Sequence, residues 1–416
     1  MTFSKSILTK IIIPIILGVM AIAVIFYKFT DIPPLMNKDE QEFAILALSL
    51  GNSPYIPYSP LATGHATLYF YMILASFNIF GLNTFALRLP AALFGVLNVL
   101  VFYYLIRYIF GYKHKLHIII PFLTTCILIS SRWYINFARF AFEATLLLFL
   151  ELISTFAIFK YEETKKIRFL IISGIFAGLA YNSYTPGRLF FILPLCLLLL
   201  NISVKALSWN MIKPVLIFLA SFMVMILPLT IYLSQNTDTR IYQQFFITNE
   251  QETIWTRMQW LWQNIINNFV NMFFFTGDVN GIHNYPYKPA LNPLIGLLFI
   301  GGLILSIKHI KNKFDLFFIS YFILSIIPTI FTYPWENPNM LRTFTALPAI
   351  VYFCGKSIIF LLERLKYNLL ITSIITLLLI ISAGYELRTY FIFQSGVFKD
   401  IFINTMDFEY YRKLYK

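Results

Sequence analysis

The chain has 416 residues, 59% of them hydrophobic, 18% aromatic and 12% charged, with a mean hydropathy of +0.73. A soluble domain carries about 25% charged residues because its surface must be wetted, so an ordinary water-soluble enzyme is excluded. A disordered chain is excluded by the same apolar content. The net charge of +13 is that of a nucleic-acid binder only in a soluble protein; here basic residues also set membrane topology.

In chain order, the first apolar run follows Lys5 and Lys10 and covers 11–26. It passes straight through the small-x-small triplet Ala21-Ile22-Ala23, so it reads as an uncleaved anchor helix. Next comes Asn37-Lys38-Asp39-Glu40-Gln41-Glu42 before the apolar stretch Phe43–Leu50. Asn37 or Asp39 can cap a helix here, acids fill its first turn, and Gly51 ends it. A Pro- and Tyr-rich stretch leads to Ala66–Phe80, short and interrupted by Ser76 and Asn78. Further apolar runs fall at 87–108, 117–131, 143–159, 169–181, 189–204, 214–233, 292–307, 314–332, 343–361 and 368–384. The chain is therefore an all-α polytopic membrane protein of about eleven transmembrane helices.

Basic residues orient the helices. With Ala66–Phe80 kept outside as a re-entrant or interfacial helix, one set of short loops collects 17 of the 32 Lys and Arg. These include Lys5, Lys10, Arg107, Lys113, Lys115, Lys160, Lys165, Lys166, Arg168, Lys205, Lys213, Lys308, Lys311 and Lys313. Their density is about threefold that of the opposite side, the asymmetry expected of cytoplasmic loops. The basic balance is thus a topology signal, and no nucleic acid is expected. Residues 1–384 form the transmembrane unit, with outer loops 28–86 and 234–291, and 385–416 form a short extracytoplasmic tail. Most acids fall outside, and only Glu151 sits well inside a span, where a proton-coupled transporter would concentrate them. Cys126, Cys196 and Cys354 all lie in apolar runs, which implies neither a disulfide nor a cysteine metal site. Trp255, Trp260 and Trp262 crowd one stretch of the second outer loop, either as an aromatic belt or as a helix lying in the interface.

The Asp39-Glu40 pair that opens a helix after the first span resembles the GT-C-type glycosyltransferases that use lipid-phosphate sugars. The similarity is to the bacterial branch related to glycosyltransferase family 39, the protein O-mannosyltransferases and the lipid A aminoarabinose transferase. It continues through Phe80-Gly81-Leu82-Asn83-Thr84-Phe85-Ala86-Leu87-Arg88-Leu89-Pro90 and Ser131-Arg132-Trp133 to Phe137-Ala138-Arg139-Phe140-Ala141-Phe142-Glu143. Tyr184-Thr185-Pro186-Gly187-Arg188, Gly277-Asp278-Val279-Asn280 with Asn284-Tyr285-Pro286, and Asn337-Pro338-Asn339-Met340-Leu341-Arg342 complete the series. Each motif falls at an expected outer-face junction, and together they cover about residues 10–360.

The resemblance implies a GT-C-like fold and inverting transfer of a sugar from a polyprenyl phosphate to a lipid, glycan or protein acceptor. It also implies a bacterial-type plasma membrane, with the N-terminus cytoplasmic and the active site outside. Asp39 matches the family's catalytic acid residue, and Glu143 stands where relatives often carry a second acid. Glu40, His65, Arg139, Arg188 and Arg342 are the expected substrate-binding residues, with Arg139, Arg188 and Arg342 converging on one phosphate pocket. His65 occupies a site where relatives often have a basic residue before Pro; Ala66 replaces that Pro. No cofactor is marked. Asp39, Glu40 and Glu143 leave a divalent cation open, because carboxylates supply hard oxygen ligands. Two other classes remain as alternatives: a flippase or transporter of lipid-linked sugars, and an O-antigen polymerase or ligase type. The latter would carry several Arg in loop 234–291, which has Arg240 and Arg257 plus Lys288. The tail after Gly384 is shorter than the outer domain of many relatives, so acceptor recognition is expected to differ or to need a partner.

Overall fold

The computed structural model describes residues 8–51, 54–110, 118–200, 209–366 and 368–415. Lys5, Lys113, Lys115 and Lys205 of the basic set lie outside these residues. The apolar stretches become helices because in hydrocarbon every backbone N–H and C=O needs a partner within its own segment. Among the described residues seven helices are long and apolar enough to cross a membrane: Leu8–Phe26, Thr84–Phe110, Ala144–Thr164, Trp209–Gln235, Lys313–Ile330, Phe344–Arg364 and Leu369–Ile401. The other four expected spans are also helical, at Ile119–Ser130, Ile167–Tyr181, Thr185–Leu199 and Pro293–Lys308, but each has 10–17 residues. A helix of about 12 residues rises only about 18 Å against a hydrocarbon core of about 30 Å. Among the described residues, helix length by itself supports seven of the eleven expected spans. The segment expected to stay outside forms the helix Leu68–Phe80, in the same short class.

Burial sorts the helices into layers. In their most apolar stretches Ala144–Thr164 and Phe344–Arg364 are mostly buried and form the centre, whereas Trp209–Gln235 and Leu369–Ile401 are mostly exposed and form the flanks. Ile167–Tyr181 packs against both Ala144–Thr164, where Ser154 Oγ donates to the Ser173 carbonyl at 2.9 Å, and Trp209–Gln235, which Gly174 and Gly178 face. A Cβ on Gly174 would stand 2.0 Å from Ser221 Oγ, and one on Gly178 would stand 2.5 Å from Met225 Cβ. Small residues replace the hydrophobic driving force that helices in lipid lack, by letting backbones touch.

The loops around residues 282–284 and 340 are organised by the short buried helix Arg132–Phe137. Trp133 Nε1 donates to the Met340 carbonyl at 2.7 Å, and Asn136 Nδ2 donates to the Ile282 and His283 carbonyls at 2.9 and 3.1 Å. Arg132 Nε donates to Asn284 Oδ1 at 3.0 Å, and its Nη1 pairs with Glu386 at 3.0 Å. One helix thus holds two loops distant in sequence. The last long helix runs through the expected boundary at 384 to Ile401, because Tyr390 and Phe398 in that stretch are buried against the core. The following residues return to the segment after the first span, where Met36 pairs with Asn404 and Gln41 Nε2 donates to the Thr405 carbonyl at 2.7 Å.

Candidate active site

The helix Lys38–Ser49 begins at Asn37, whose side chain accepts from the Glu40 amide at 2.8 Å, so of the two possible caps Asn37 is the one used. Capping by Asn37 leaves the carboxylate of Asp39 free, and it lines a cleft of about 390 Å³ together with His65, Arg240, Asp278, His283 and Arg342. Burial raises the Asp39 carboxyl above the ordinary carboxylate range, against the pull of His283 and Arg240. A carboxylate in this position is a stronger base than one in water.

Beneath the cleft lies a buried charge cluster. The hairpin Tyr58–Ser59 with His65–Ala66 delivers His65, whose Nδ1 meets Glu143 Oε1 at 2.5 Å and whose Nε2 lies 2.9 Å from the Ala62 carbonyl. Arg240 Nη1 stands 2.8 Å from His65 Nδ1 and 3.8 Å from Glu143, over the Tyr184 ring. Burial, reinforced by Arg240, lowers the His65 pKa, and Glu143 opposes that shift. Glu143 is itself fully buried, 1% exposed, and is not the solvated helix-start acid that its position allows.

Arg188 acts one step behind this cluster. Its Nη1 pairs with Asp238 at 2.5 Å, and Asp238 caps the helix Thr239–Gln244 by accepting from the Ile241 amide at 3.2 Å. Burial opposes ionisation of Asp238, but Arg188 and these donors hold its carboxyl below the usual range. Arg240 is the second residue of the capped helix, so Arg188 positions a cleft cation without lining the cleft itself.

The facing wall comes from the loop after Gly277. Gly277 has φ +62°, and a Cβ there would stand 1.9 Å from the Lys288 carbonyl oxygen, so only glycine makes this turn without strain. Asp278 accepts from the Asn280 and Met340 amides at 2.9 and 2.8 Å and from His283 Nδ1 at 2.8 Å. Arg342 pairs with Glu336 at the cleft edge, and its Nη1 is buried with no hydrogen-bond partner among the described residues. A buried guanidinium with a donor to spare suits an anion.

Of the seven expected site residues, Asp39, His65 and Arg342 line this cleft, and Glu143 and Arg188 support it. Two are placed elsewhere. Glu40 is 0% exposed and clamped by Arg88, Nε to Oε1 and Nη2 to Oε2 both at 2.8 Å. Successive helix positions point about 100° apart, so the Asp39 neighbour turns away from the cleft into the bundle. Arg139 is also sealed: its Nη2 donates to the Lys28 and Ile32 carbonyls at 2.9 and 2.8 Å, and its Nη1 to the Ile25 carbonyl, among the rings of Phe29, Tyr390 and Phe391. It caps the carbonyls where the first span ends, and the expected convergence of Arg139, Arg188 and Arg342 is replaced by Arg240 with Arg342. The three carboxylates considered for a cation are not gathered, since Glu40 and Glu143 have other partners. Among the described residues no group of three or more His, Cys, Asp or Glu side chains is arranged around a metal. Glu151 accepts from Tyr321 at 2.6 Å, a polar contact between helices.

Sequence reasoning missed Arg240, Asp278 and His283 as site residues. The signal available was the Gly277-Asp278-Val279-Asn280 motif, whose glycine marks a forced turn.

A family model described as dolichyl-phosphate-mannose-protein mannosyltransferase matches residues 64–232. No curated protein is detectably similar in sequence. Among solved structures, ArnT from Cupriavidus metallidurans bound to undecaprenyl phosphate is 15% identical, with a TM-score of 0.54 over 82% of this chain and 59% of that one. The oligosaccharyltransferase AglB from Archaeoglobus fulgidus, in complex with an inhibitory peptide and a dolichol-phosphate, is 12% identical, with a TM-score of 0.55 over 97% and 59%. The Archaeoglobus fulgidus oligosaccharyltransferase in complex with Zn and sulfate is 13% identical, with a TM-score of 0.59 over 97% and 56%. The chain spans less than two thirds of the length of each of these proteins. It shares their GT-C membrane fold.

Proposed function

We propose that this chain is an inverting glycosyltransferase that moves a sugar from a polyprenyl phosphate to an acceptor hydroxyl. The family match over 64–232 and the shared fold support the class. One observation carries the mechanism: a carboxylate made more basic by burial, Asp39, shares a cleft with two guanidinium groups, Arg240 and Arg342.

In this reading Asp39 accepts the proton of the acceptor hydroxyl as its oxygen attacks the anomeric carbon. The bond from that carbon to the phosphate oxygen breaks, and the electron pair leaves with the polyprenyl phosphate. Arg240 and the free donor of Arg342, both nearly buried, stabilise the charge gathering on the phosphate as fixed cations. Glu143 and His65 set the position of Arg240, and Arg188 does so through Asp238. The basic-residue asymmetry supports a cytoplasmic N-terminus and a cleft on the outer face.

The test is transfer by the full chain in nanodiscs from a panel of synthetic polyprenyl-phosphate hexoses and pentoses. Products would be read by mass spectrometry as released polyprenyl phosphate and glycosylated acceptor. No turnover of any donor, with undecaprenyl phosphate failing to bind, would reject the reading.

A further inference from the structure

His283 is 5% exposed, yet it lines the cleft that holds Asp39. Its Nδ1 is committed to Asp278 Oδ2 at 2.8 Å, which leaves Nε2 as the nitrogen available to the cleft, with no hydrogen bond to any described residue. The partner carboxylate is rigid: Asp278 is 2% exposed and is fixed by the Asn280 and Met340 amides. The backbone of His283 is fixed too, since Asn136 donates to its carbonyl at 3.1 Å. The ring packs between Phe137 and Phe142, centroids 5.6 and 6.4 Å away. A buried carboxylate that accepts from one imidazole nitrogen fixes the tautomer of the ring and orients the other nitrogen.

We propose that Asp278 and His283 form a proton relay behind Asp39, an inference that rests on the glycosyltransferase reading. The acceptor O–H bond breaks as the new C–O bond forms, and the proton goes first to the Asp39 carboxylate. It passes from Asp39 to His283 Nε2, which becomes imidazolium against the Asp278 carboxylate and later releases the proton to water. The electron pair of the broken sugar–phosphate bond stays on the departing polyprenyl phosphate, so charge and protons balance without a co-reactant. His65 cannot take this role, because its two nitrogens already face Glu143 and the Ala62 carbonyl.

The experiment uses the full chain in nanodiscs, wild type against His283→Gln, with His283→Ala and Asp278→Asn as companions. Undecaprenyl phosphate is the binding probe and the polyprenyl-phosphate sugar panel is the transfer assay. The relay requires His283→Gln to lower the maximal transfer rate about tenfold to a hundredfold, at the low end for general acid–base catalysis. Affinity for undecaprenyl phosphate should stay within about twofold, and added imidazole should restore part of the rate in His283→Ala, which a structural role would not allow. Should the His283 variants misfold, Asp278→Asn must show the same loss of rate with unchanged affinity. Transfer by His283→Gln within twofold of wild type overturns the relay and leaves the proposed function standing. So does a loss of rate matched by a loss of undecaprenyl phosphate affinity, which would make His283 an anion ligand. If wild type transfers no sugar, the functional reading fails separately, and infrared titration of the Asp39 carboxyl decides the relay's coupling. An upward midpoint shift in His283→Gln supports it, and an unchanged midpoint overturns it.

Discussion

The cleft contains the same chemical pair twice, a histidine against a buried carboxylate, in two different states of commitment. At the floor, His65 and Glu143 are closed in by Arg240 and the Ala62 carbonyl. At the wall, His283 is held by Asp278 through one nitrogen and keeps the other for the cleft. A spent pair sets the position and field of a cation, whereas a half-satisfied pair can exchange a proton. Partners already taken, more than residue type or burial, separate the two roles.

The largest expected effects break the floor. Glu143→Ala leaves His65 and Arg240 buried without their acid. Breaking a buried pair from one side costs about 3–5 kcal/mol, so the protein should lose thermal stability and activity together in detergent melts. His283→Gln should cost less, because the Asn280 and Met340 amides still hold the Asp278 carboxylate. A His283→Gln variant as unstable as Glu143→Ala would erase the distinction between floor and wall. Glu40→Ala, which strands Arg88, belongs with the floor in this test although Glu40 neighbours Asp39.

An intermediate effect concerns the anion donors. Arg342→Gln removes the guanidinium with the unpaired Nη1. A hydrogen bond to a charged group contributes about 1.5–3 kcal/mol, so undecaprenyl phosphate should bind about tenfold to a hundredfold more weakly, with little change in the melt. Equal weakening in Arg139→Gln would restore the convergence of arginines expected from sequence; sealed as it is on the Ile25, Lys28 and Ile32 carbonyls, Arg139 should affect stability instead.

That contrast also marks what the sequence makes legible. Hydropathy locates the helices because a helix in lipid must be apolar along a continuous stretch, and the acidic turn at Asn37–Glu42 announces itself as a helix start. The pattern cannot tell which charges are already satisfied. Glu40 and Arg139 look as available as Asp39 and Arg342 until Arg88 and the carbonyls of the first span are brought beside them. Arg240 lies in a six-residue helix and His283 in an irregular turn, both too short to give a periodic signal, and their roles depend on Arg188, Trp133 and Asn136, which only folding brings near.

The smallest effect is a pH signature of Asp39. Its carboxyl is raised by burial, so the folded chain holds that proton more tightly than the unfolded one. Ionisation then lowers stability as pH rises from the ordinary aspartate value of about 3.9 through the raised one. Asp39→Asn removes that cost and should melt higher than wild type at neutral pH, with the difference vanishing below the window. In wild type the transfer rate should fall on the acid side at a pH above the ordinary carboxylate value. Equal melting of the two proteins at all pH values would argue that Asp39 is not held in a costly buried position.

The direct test of the account is single-turnover transfer by Asp39→Asn beside its affinity for undecaprenyl phosphate. The substitution keeps the shape of the side chain and removes the base, an interaction made mainly in the transition state. Transfer should fall by about 10²–10⁴-fold while undecaprenyl phosphate binds as in wild type. Transfer within about threefold of wild type would contradict the account, because the cleft would then be doing its chemistry without the carboxylate that defines it.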